Sequence, residues 1–195
     1  MSTEAKLLFF AGSAREGSFN KKLARLGDRI ADANGISATF LDLADYPMPL
    51  YDGDLESAEG VPDNAYKMKN VLSVHDGVFI AAPEYNASIS PLLKNALDWV
   101  SRARKDDDDP KAVFATRVFA LGAASPGGTG GIRGLTTVRH TLEMGLGALV
   151  LPDQFLLPKA GTAFSEDGHL IDKAAQERLK LLIQKLARAA KLVHG

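Results

Sequence analysis

The sequence predicts an α/β fold, a five-stranded parallel sheet with helices on both faces. Three observations predict it. Short apolar runs alternate with segments of helical period along the whole chain. The runs are apolar at successive positions, as strands are when both sheet faces are covered. The turns after the first and fourth runs are rich in glycine and small polar residues, and the turn after the third, PEYNASIS, is polar. That is the composition of ligand loops at the carboxyl edge of such a sheet.

Each element follows from its own residues. Lys6–Ala11 (KLLFFA) is short, apolar and closed by glycine, so it reads as the first strand. Leu23, Leu26, Ile30 and Ala33 recur at helical spacing, and Gly35 ends that helix. Residues 37–43 (SATFLDL) form the second strand. An irregular stretch rich in Pro, Gly and Asp follows, and then a helix over residues 65–74. Residues 77–82 (GVFIAA) are the third strand. The next helix spans 91–102, with Ser90 as N-cap and Pro91 in its first turn. Val118–Ala124 is the fourth strand, residues 131–144 a helix and residues 148–151 the fifth strand. A final helix places Ile171, Ala175, Leu179, Leu182, Leu186, Ala189 and Val193 on one stripe. Crossovers between parallel strands are right-handed, so five strands suggest a three-layer doubly wound sheet of flavodoxin-like order 2-1-3-4-5. No internal repeat or linker divides the chain, so residues 1–195 are expected to form one domain.

Composition narrows the function classes. Apolar residues make up 46% and charged residues 24%, and the formal net charge is -1. So balanced a charge gives no field for binding nucleic acid or an anionic membrane. Cysteine is absent, which removes disulfides, cysteine nucleophiles and thiolate metal sites. The segment MSTEAKLLFF has neither the basic start nor the long apolar stretch of a signal peptide. No apolar run reaches the roughly 20 residues of a membrane span. The expectation is a soluble, cytoplasmic protein.

Three loops should converge on one edge: GSAREGSFN, PEYNASIS and SPGGTGGIRG. The first has the glycine spacing of a P-loop, but Ser18 stands where the lysine belongs, and G-x-G-x-x-G is absent. Its hydroxyls, the Asn20 amide, the Arg15 guanidinium and the start of a helix still suit an anion. A terminal phosphomonoester fits better than a nucleoside triphosphate, because neither a lysine at the P-loop position nor a Mg²⁺ ligand is evident. The second loop sets a proline, a carboxylate, an aromatic ring and an amide at a strand end, which suits a flat ring with donors and acceptors. The third has four glycines between Pro126 and Ile132, so its backbone can approach a ligand closely. Singly, each loop also reads as an ordinary turn or capped helix entry. Together they point to a phosphate attached to a planar heterocycle.

These segments resemble the NAD(P)H-dependent FMN reductase family, which includes chromate reductases, azoreductases and quinone reductases. GSAREGSFNKKL is similar to its G-S-x-R-x-x-S-x-N loop, PEYNASISPLLKNALDW to its P-E-Y-N…L-K-N-A-x-D-W block, and SPGGTGGIRG to its S-P-G-x-x-G-G-x-R segment. PMPLYDGDLE matches the segment after the second strand, so the likeness covers nearly the whole chain. The family often has Gly at the position of Ala87, and Pro-Gly in place of Ser90 and Pro91. The resemblance implies that Ser13, Arg15, Ser18, Phe19 and Asn20 hold the FMN phosphate. It implies that Pro83, Glu84, Tyr85 and Asn86 line the isoalloxazine and ribityl chain, and that Ser125, Gly127 and Gly128 approach the flavin's other edge. NADPH or NADH would deliver a hydride to the flavin. A quinone, free flavin, azo dye or metal oxyanion would then take the electrons in a ping-pong cycle. No side chain need act as acid or base, so no catalytic residue is named. Homodimers or homotetramers are common in the family.

Other residues read more plainly. Lys94, Asn95 and Asp98 fix a loop or a subunit contact, or form a helix surface. Trp99 reads as core or interface rather than a flavin-stacking ring. Arg133 reads as a solvated helix-start residue, with a nucleotide phosphate as the sharper alternative. His140 with Glu143, and the acidic run at residues 106–109, make no metal site by spacing. Two rival functions remain: an acidic flavodoxin-type electron carrier, which a net charge of -1 argues against, and a redox-sensing flavoprotein. Turnover of NADH separates the enzyme from the carrier, and redox-dependent capture of a partner would mark the sensor.

Overall fold

Successive apolar positions become strands whose side chains point alternately to two helical layers. The computed structural model describes residues 5–104, 109 and 111–194. Its main strands are β1 (Lys6–Ala11), β2 (Ser37–Leu41), β3 (Gly77–Ala81), β6 (Val118–Ala124) and β7 (Leu149–Leu157). All pair in parallel in the order β2-β1-β3-β6-β7, the predicted 2-1-3-4-5 arrangement of main strands. The two short strands β4 (Glu84–Tyr85) and β5 (Ser88–Ile89) form a separate hairpin within the expected second loop.

The pleat divides the core. Leu7 and Phe9 of β1 face α1 (Phe19–Ala33) and α7 (Lys173–His194), packing with Leu23, Leu26, Leu179, Ile183 and Leu186. Leu8 and Phe10 face the other way, toward α3 (Asp63–Ser73), α4 (Pro91–Val100) and α6 (Ile132–His140), packing with Met68, Leu72, Leu93, Leu97, Leu135 and Val138. Burying each such side chain contributes about 1.5–3 kcal/mol. Every residue of β3 and β6 is buried, which explains why the sequence shows no alternation there.

The structure departs from the sequence reading at several elements, and the second strand ends at Leu41 rather than at residue 43 because Asp42 caps a 3-10 turn. The fifth strand continues past residue 151 to Leu157, through Pro152. Proline loses no ladder bond on an edge strand, and β7 is one. Between the pairs Phe119–Val150 and Leu121–Gln154 the β7 chain bulges. Arg139 spans this bulge, donating to the Leu151 carbonyl at 2.7 Å and to that of Val150 at 3.4 Å. The helix after the fourth strand ends as α6 at His140 and gives way to a π-helical turn, Thr141–Gly145. In the last helix the buried stripe is Ala175, Leu179, Leu182, Ile183, Leu186 and Ala190. Ile171 precedes that helix, whose first turn Asp172 caps by accepting from the Ala174 N–H, and both Ile171 and Val193, in the last turn, are exposed.

The irregular segment after β2 holds a helix of its own, α2 (Gly53–Glu59), capped by Asp52. Side chains of α4 hold this segment down. Asn95 donates to the Pro49 carbonyl and accepts from the Tyr51 N–H, and Trp99, fully buried, donates to the same carbonyl at 2.7 Å. Trp99 is therefore core, while Lys94 and Asp98 form an exposed i,i+4 pair. A short helix, α5 (Ala112–Ala115), precedes β6. Of the acidic run, only Asp109 lies within the described residues, and it accepts from the Lys111 N–H. Among the described residues no helix is long and apolar enough to cross a membrane, and no cluster of His, Asp and Glu could hold a metal ion.

Candidate cofactor site

The register of the three central strands brings their following loops side by side. Ladder bonding runs past the strands: the Gly12 N–H donates to the Ala81 carbonyl at 2.9 Å, and the Ala82 N–H to the Gly122 carbonyl at 2.8 Å. Side chains then tie loop to loop. Ser90, the N-cap of α4, donates its hydroxyl to the Gly12 carbonyl at 2.7 Å. Asn20 spans 104 residues to Ala124, donating to its carbonyl and accepting from its N–H, both at 2.9 Å. Glu84 reaches the start of α6, accepting from the backbone N–H groups of Arg133 and Gly134 at 3.0 and 3.1 Å and from the Arg133 guanidinium.

The first loop leaves several backbone donors free at a helix start. Ser18 caps α1 by accepting from the Lys21 N–H, and its own N–H donates to the Arg15 carbonyl. Among the described residues, the N–H groups of Ser13, Glu16, Gly17, Phe19 and Asn20 meet no acceptor. Free donors of this kind at a helix start, with the positive end of its dipole, attract anions. Arg15 is exposed with no charged partner among the described residues, and Ser13 is buried beside it. Phe19 is half-buried against the core formed by α1 and α7. Beneath the loop, the Lys21 ammonium donates to the Ala14 carbonyl at 3.0 Å and pairs with Asp42 at 2.8 Å. Burial pushes the Asp42 carboxyl up. The Lys21 hydrogen bond, the Ala44 N–H and the Lys21 and Arg25 charges outweigh this, so it stays below the usual range.

The second loop is a two-residue hairpin. Asn86 and Ala87 have φ of 50° and 62°, the left-handed pair of a type I′ turn. Pro83 is buried beneath it, and Tyr85 is 47% exposed. The Glu84 carboxylate turns away from the open edge. Burial raises its pKa, but the Arg133 and Gly134 donors outweigh that and hold it low. Arg133 is thus bound to the hairpin rather than merely solvated.

The third loop is anchored from beneath by the β7 extension. Ser125 donates its N–H to the Leu157 carbonyl and accepts from the Ala160 N–H, while its hydroxyl accepts from the Gly127 N–H. Gly131 has φ of 90°, and a Cβ there would lie 2.7 Å from that of Ala123. A Cβ on Gly128 would meet nothing within 4 Å, so that backbone lies open.

The chemistry of this donor set fits FMN. Orphan amides and a free guanidinium suit a phosphate, and beside them an exposed phenol and bare glycine backbone suit a flat ring. The comparison with known proteins agrees. The model of the family described as NADPH-dependent FMN reductase matches residues 5–162. The chain belongs to this family. It is accordingly an oxidoreductase that works with FMN and NAD(P)H. The NAD(P)H-dependent FMN reductase of Pseudomonas aeruginosa is 32% identical over 197 residues, covering 100% of both chains. The quinone reductase of Escherichia coli K12 is 35% identical over 77% of this chain and 76% of its own. Among solved structures, the flavoenzyme NAD(P)H:(acceptor) oxidoreductase FerB of Paracoccus denitrificans shares the fold. Its TM-score is 0.78 and its identity 23%, over 96% of this chain and 98% of that one.

The expected site residues lie on the three loops and in the first turn of α1, and the side chains of Ser18, Asn20, Glu84 and Ser125 already bond other parts of the protein. Both ends of the Asn20 amide bond Ala124, and the Glu84 carboxylate bonds α6. Sequence reading missed Lys21, Asp42 and the tie from Ser90 to Gly12. A lone lysine in the first turn of a helix carries no signal when its partner, Asp42, lies just past the end of β2.

Proposed function

We propose that this family member passes electrons from NADPH or NADH to a small acceptor in a ping-pong cycle, with quinones, free flavins, azo dyes and metal oxyanions as acceptor classes. The unspent N–H donors of the first loop carry the proposal, because they give the 5′-phosphate of FMN a place in the fold. Ser13, Arg15, Ser18 and the backbone of Phe19 and Asn20 hold the phosphate. Pro83, Tyr85 and Asn86, with the backbone of Glu84, line the isoalloxazine and ribityl chain. Ser125, Gly127 and Gly128 border its other edge. Bound flavin supplies the hydride-accepting and electron-donating chemistry. The chain's own part is to fix the ring on a cross-tied edge and leave one side open to small molecules. The quinone reductase name of the E. coli relative supports quinones as acceptors. We read the active form as a cytoplasmic homodimer or homotetramer.

The test is an absorbance spectrum after loading with FMN and desalting, followed by anaerobic NADPH or NADH. Retained flavin that bleaches with one nucleotide is the expected result, and flavin that stays oxidised with both would favour a carrier or sensor. Initial rates at varied nucleotide and quinone should give parallel double-reciprocal lines, and intersecting lines would overturn the ping-pong cycle. Arg15→Ala combined with Ser18→Ala should weaken FMN binding by about 2–4 kcal/mol through lost charge-assisted and hydroxyl contacts. Unchanged affinity would refute the phosphate assignment.

A further inference from the structure

The Lys21–Asp42 ion pair beside the first loop is largely shielded from water, with side-chain exposures of 9% and 17%. A buried ammonium is costly unless its charge is paired and its protons are bonded. Here the pairing joins three elements: α1, which carries Lys21, the end of β2, which leads to Asp42, and the loop carbonyl of Ala14. The Ala44 N–H holds Asp42 in turn at 3.0 Å, so the counter-ion is itself fixed.

What this does to the loop follows from peptide geometry. In a trans peptide the carbonyl and the next N–H point in opposite directions. Lys21 pulls the Ala14 carbonyl inward, which turns the Arg15 N–H the other way, where it makes only a long 3.4 Å contact with the Ser13 hydroxyl. Ser90 does the same to the Gly12 carbonyl, turning the Ser13 N–H outward. Two carbonyls that would repel an anion are thereby held on the far side of the loop. Arg25, at 3.9 Å from Asp42, lies over the Phe40 ring and is 56% exposed, so it is a weaker partner than Lys21.

We propose that Lys21, fixed by Asp42, is a positioning residue for the cofactor phosphate, setting how strongly this chain prefers a phosphorylated flavin. The inference rests on the reading that the first loop holds that phosphate. It assigns Lys21 no contact with the cofactor and no part in electron transfer. Its effect is preorganisation: donors already aimed need not be ordered when the ligand arrives.

The experiment measures dissociation constants of FMN and riboflavin by flavin fluorescence, for the unaltered protein and for Lys21→Met, Lys21→Arg and Asp42→Asn. Circular dichroism first establishes that each variant folds. The unaltered protein should bind FMN at least a hundredfold more tightly than riboflavin. Lys21→Met should cut that ratio about tenfold with riboflavin affinity unchanged, and Lys21→Arg should restore part of it. Asp42→Asn should lower the ratio several-fold, and it decides the matter alone if Lys21→Met does not fold. A large ratio that survives Lys21→Met or, where that variant does not fold, Asp42→Asn overturns the inference and leaves the phosphate reading standing. Tighter FMN binding in Asp42→Asn would mean that the lysine acts by direct charge, which also overturns it. A ratio near one in the unaltered protein would sink the phosphate reading itself, and this inference with it.

Discussion

Ala87 holds a left-handed conformation, with φ of 62°, in a turn where glycine is free of steric cost. The adjoining Asn86, at φ of 50°, tolerates that region better because it is asparagine. Ala87→Gly should therefore stabilise the protein by about 0.5–1 kcal/mol despite the added chain entropy. A higher melting temperature with unchanged flavin binding is the expected result. Glu84 makes a second case. Its carboxyl is held below the usual glutamate range, so its stabilisation is complete above about pH 4.3 and is lost as pH falls through its lower folded value. Glu84→Gln should cost about 1–3 kcal/mol at pH 7. The gap between variant and unaltered protein should narrow below pH 4.3, and urea titrations across pH 3–7 would check it. Local residue roles were legible in the sequence: Ser90 caps α4 and Pro91 starts it, as the short-range pattern requires. Roles that depend on distant partners were not. Nothing near Asn20 announces Ala124, and nothing near Glu84 announces the start of α6.

At the scale of elements, α6 meets the third loop in close contact. Gly131 opens α6 with φ of 90° and faces Ala123 on β6. Three residues on, a Cβ at Gly134 would lie 3.0 Å from the Glu84 Cα, so the hairpin rests on bare helix backbone. Gly131→Ala combines left-handed strain with a clash against a buried strand, and should cost about 2–4 kcal/mol. Flavin should be lost on desalting at a temperature where the unaltered protein keeps it, and a variant of equal stability would show that the strand can give way. Strands buried on both faces were read almost to the residue, because continuous apolar runs admit few alternatives. The fifth strand was cut short at residue 151 because the apolar run stops there, before Pro152 and Asp153. Their tolerance comes from edge position and from Arg139 bonding the bulged carbonyls, neither of which is local information. The hairpin inside PEYNASIS escaped for a related reason: a turn of Asn-Ala, without glycine, lacks the usual signal.

For the whole molecule, one sheet separates two apolar layers, and the question is whether they melt together. Ile183 on α7 is buried in one layer and Ile80 on β3 in the other. The strands belong to both layers at once, since alternate residues of β1 and β3 serve opposite faces. Unfolding one layer would strip the sheet of a face and expose apolar strand surface, so neither layer should persist alone. This is the physical content of reading residues 1–195 as one domain. Ile183→Val and Ile80→Val should each cost about 0.5–1.5 kcal/mol. Both should lower the midpoint of one shared transition, and the double variant should lose the sum to within about 0.5 kcal/mol, because the sites lie on opposite faces without shared partners. Urea unfolding followed in parallel by far-ultraviolet circular dichroism and by Trp99 fluorescence would show it. Coincident curves in all four proteins support one cooperative unit. Two resolved steps, with each substitution moving only its own, would mean that the face carrying α1 and α7 folds apart from the face carrying α3, α4 and α6. The cofactor loops, which are tied across both faces by Asn20 and Ser90, would then form only after the two had joined.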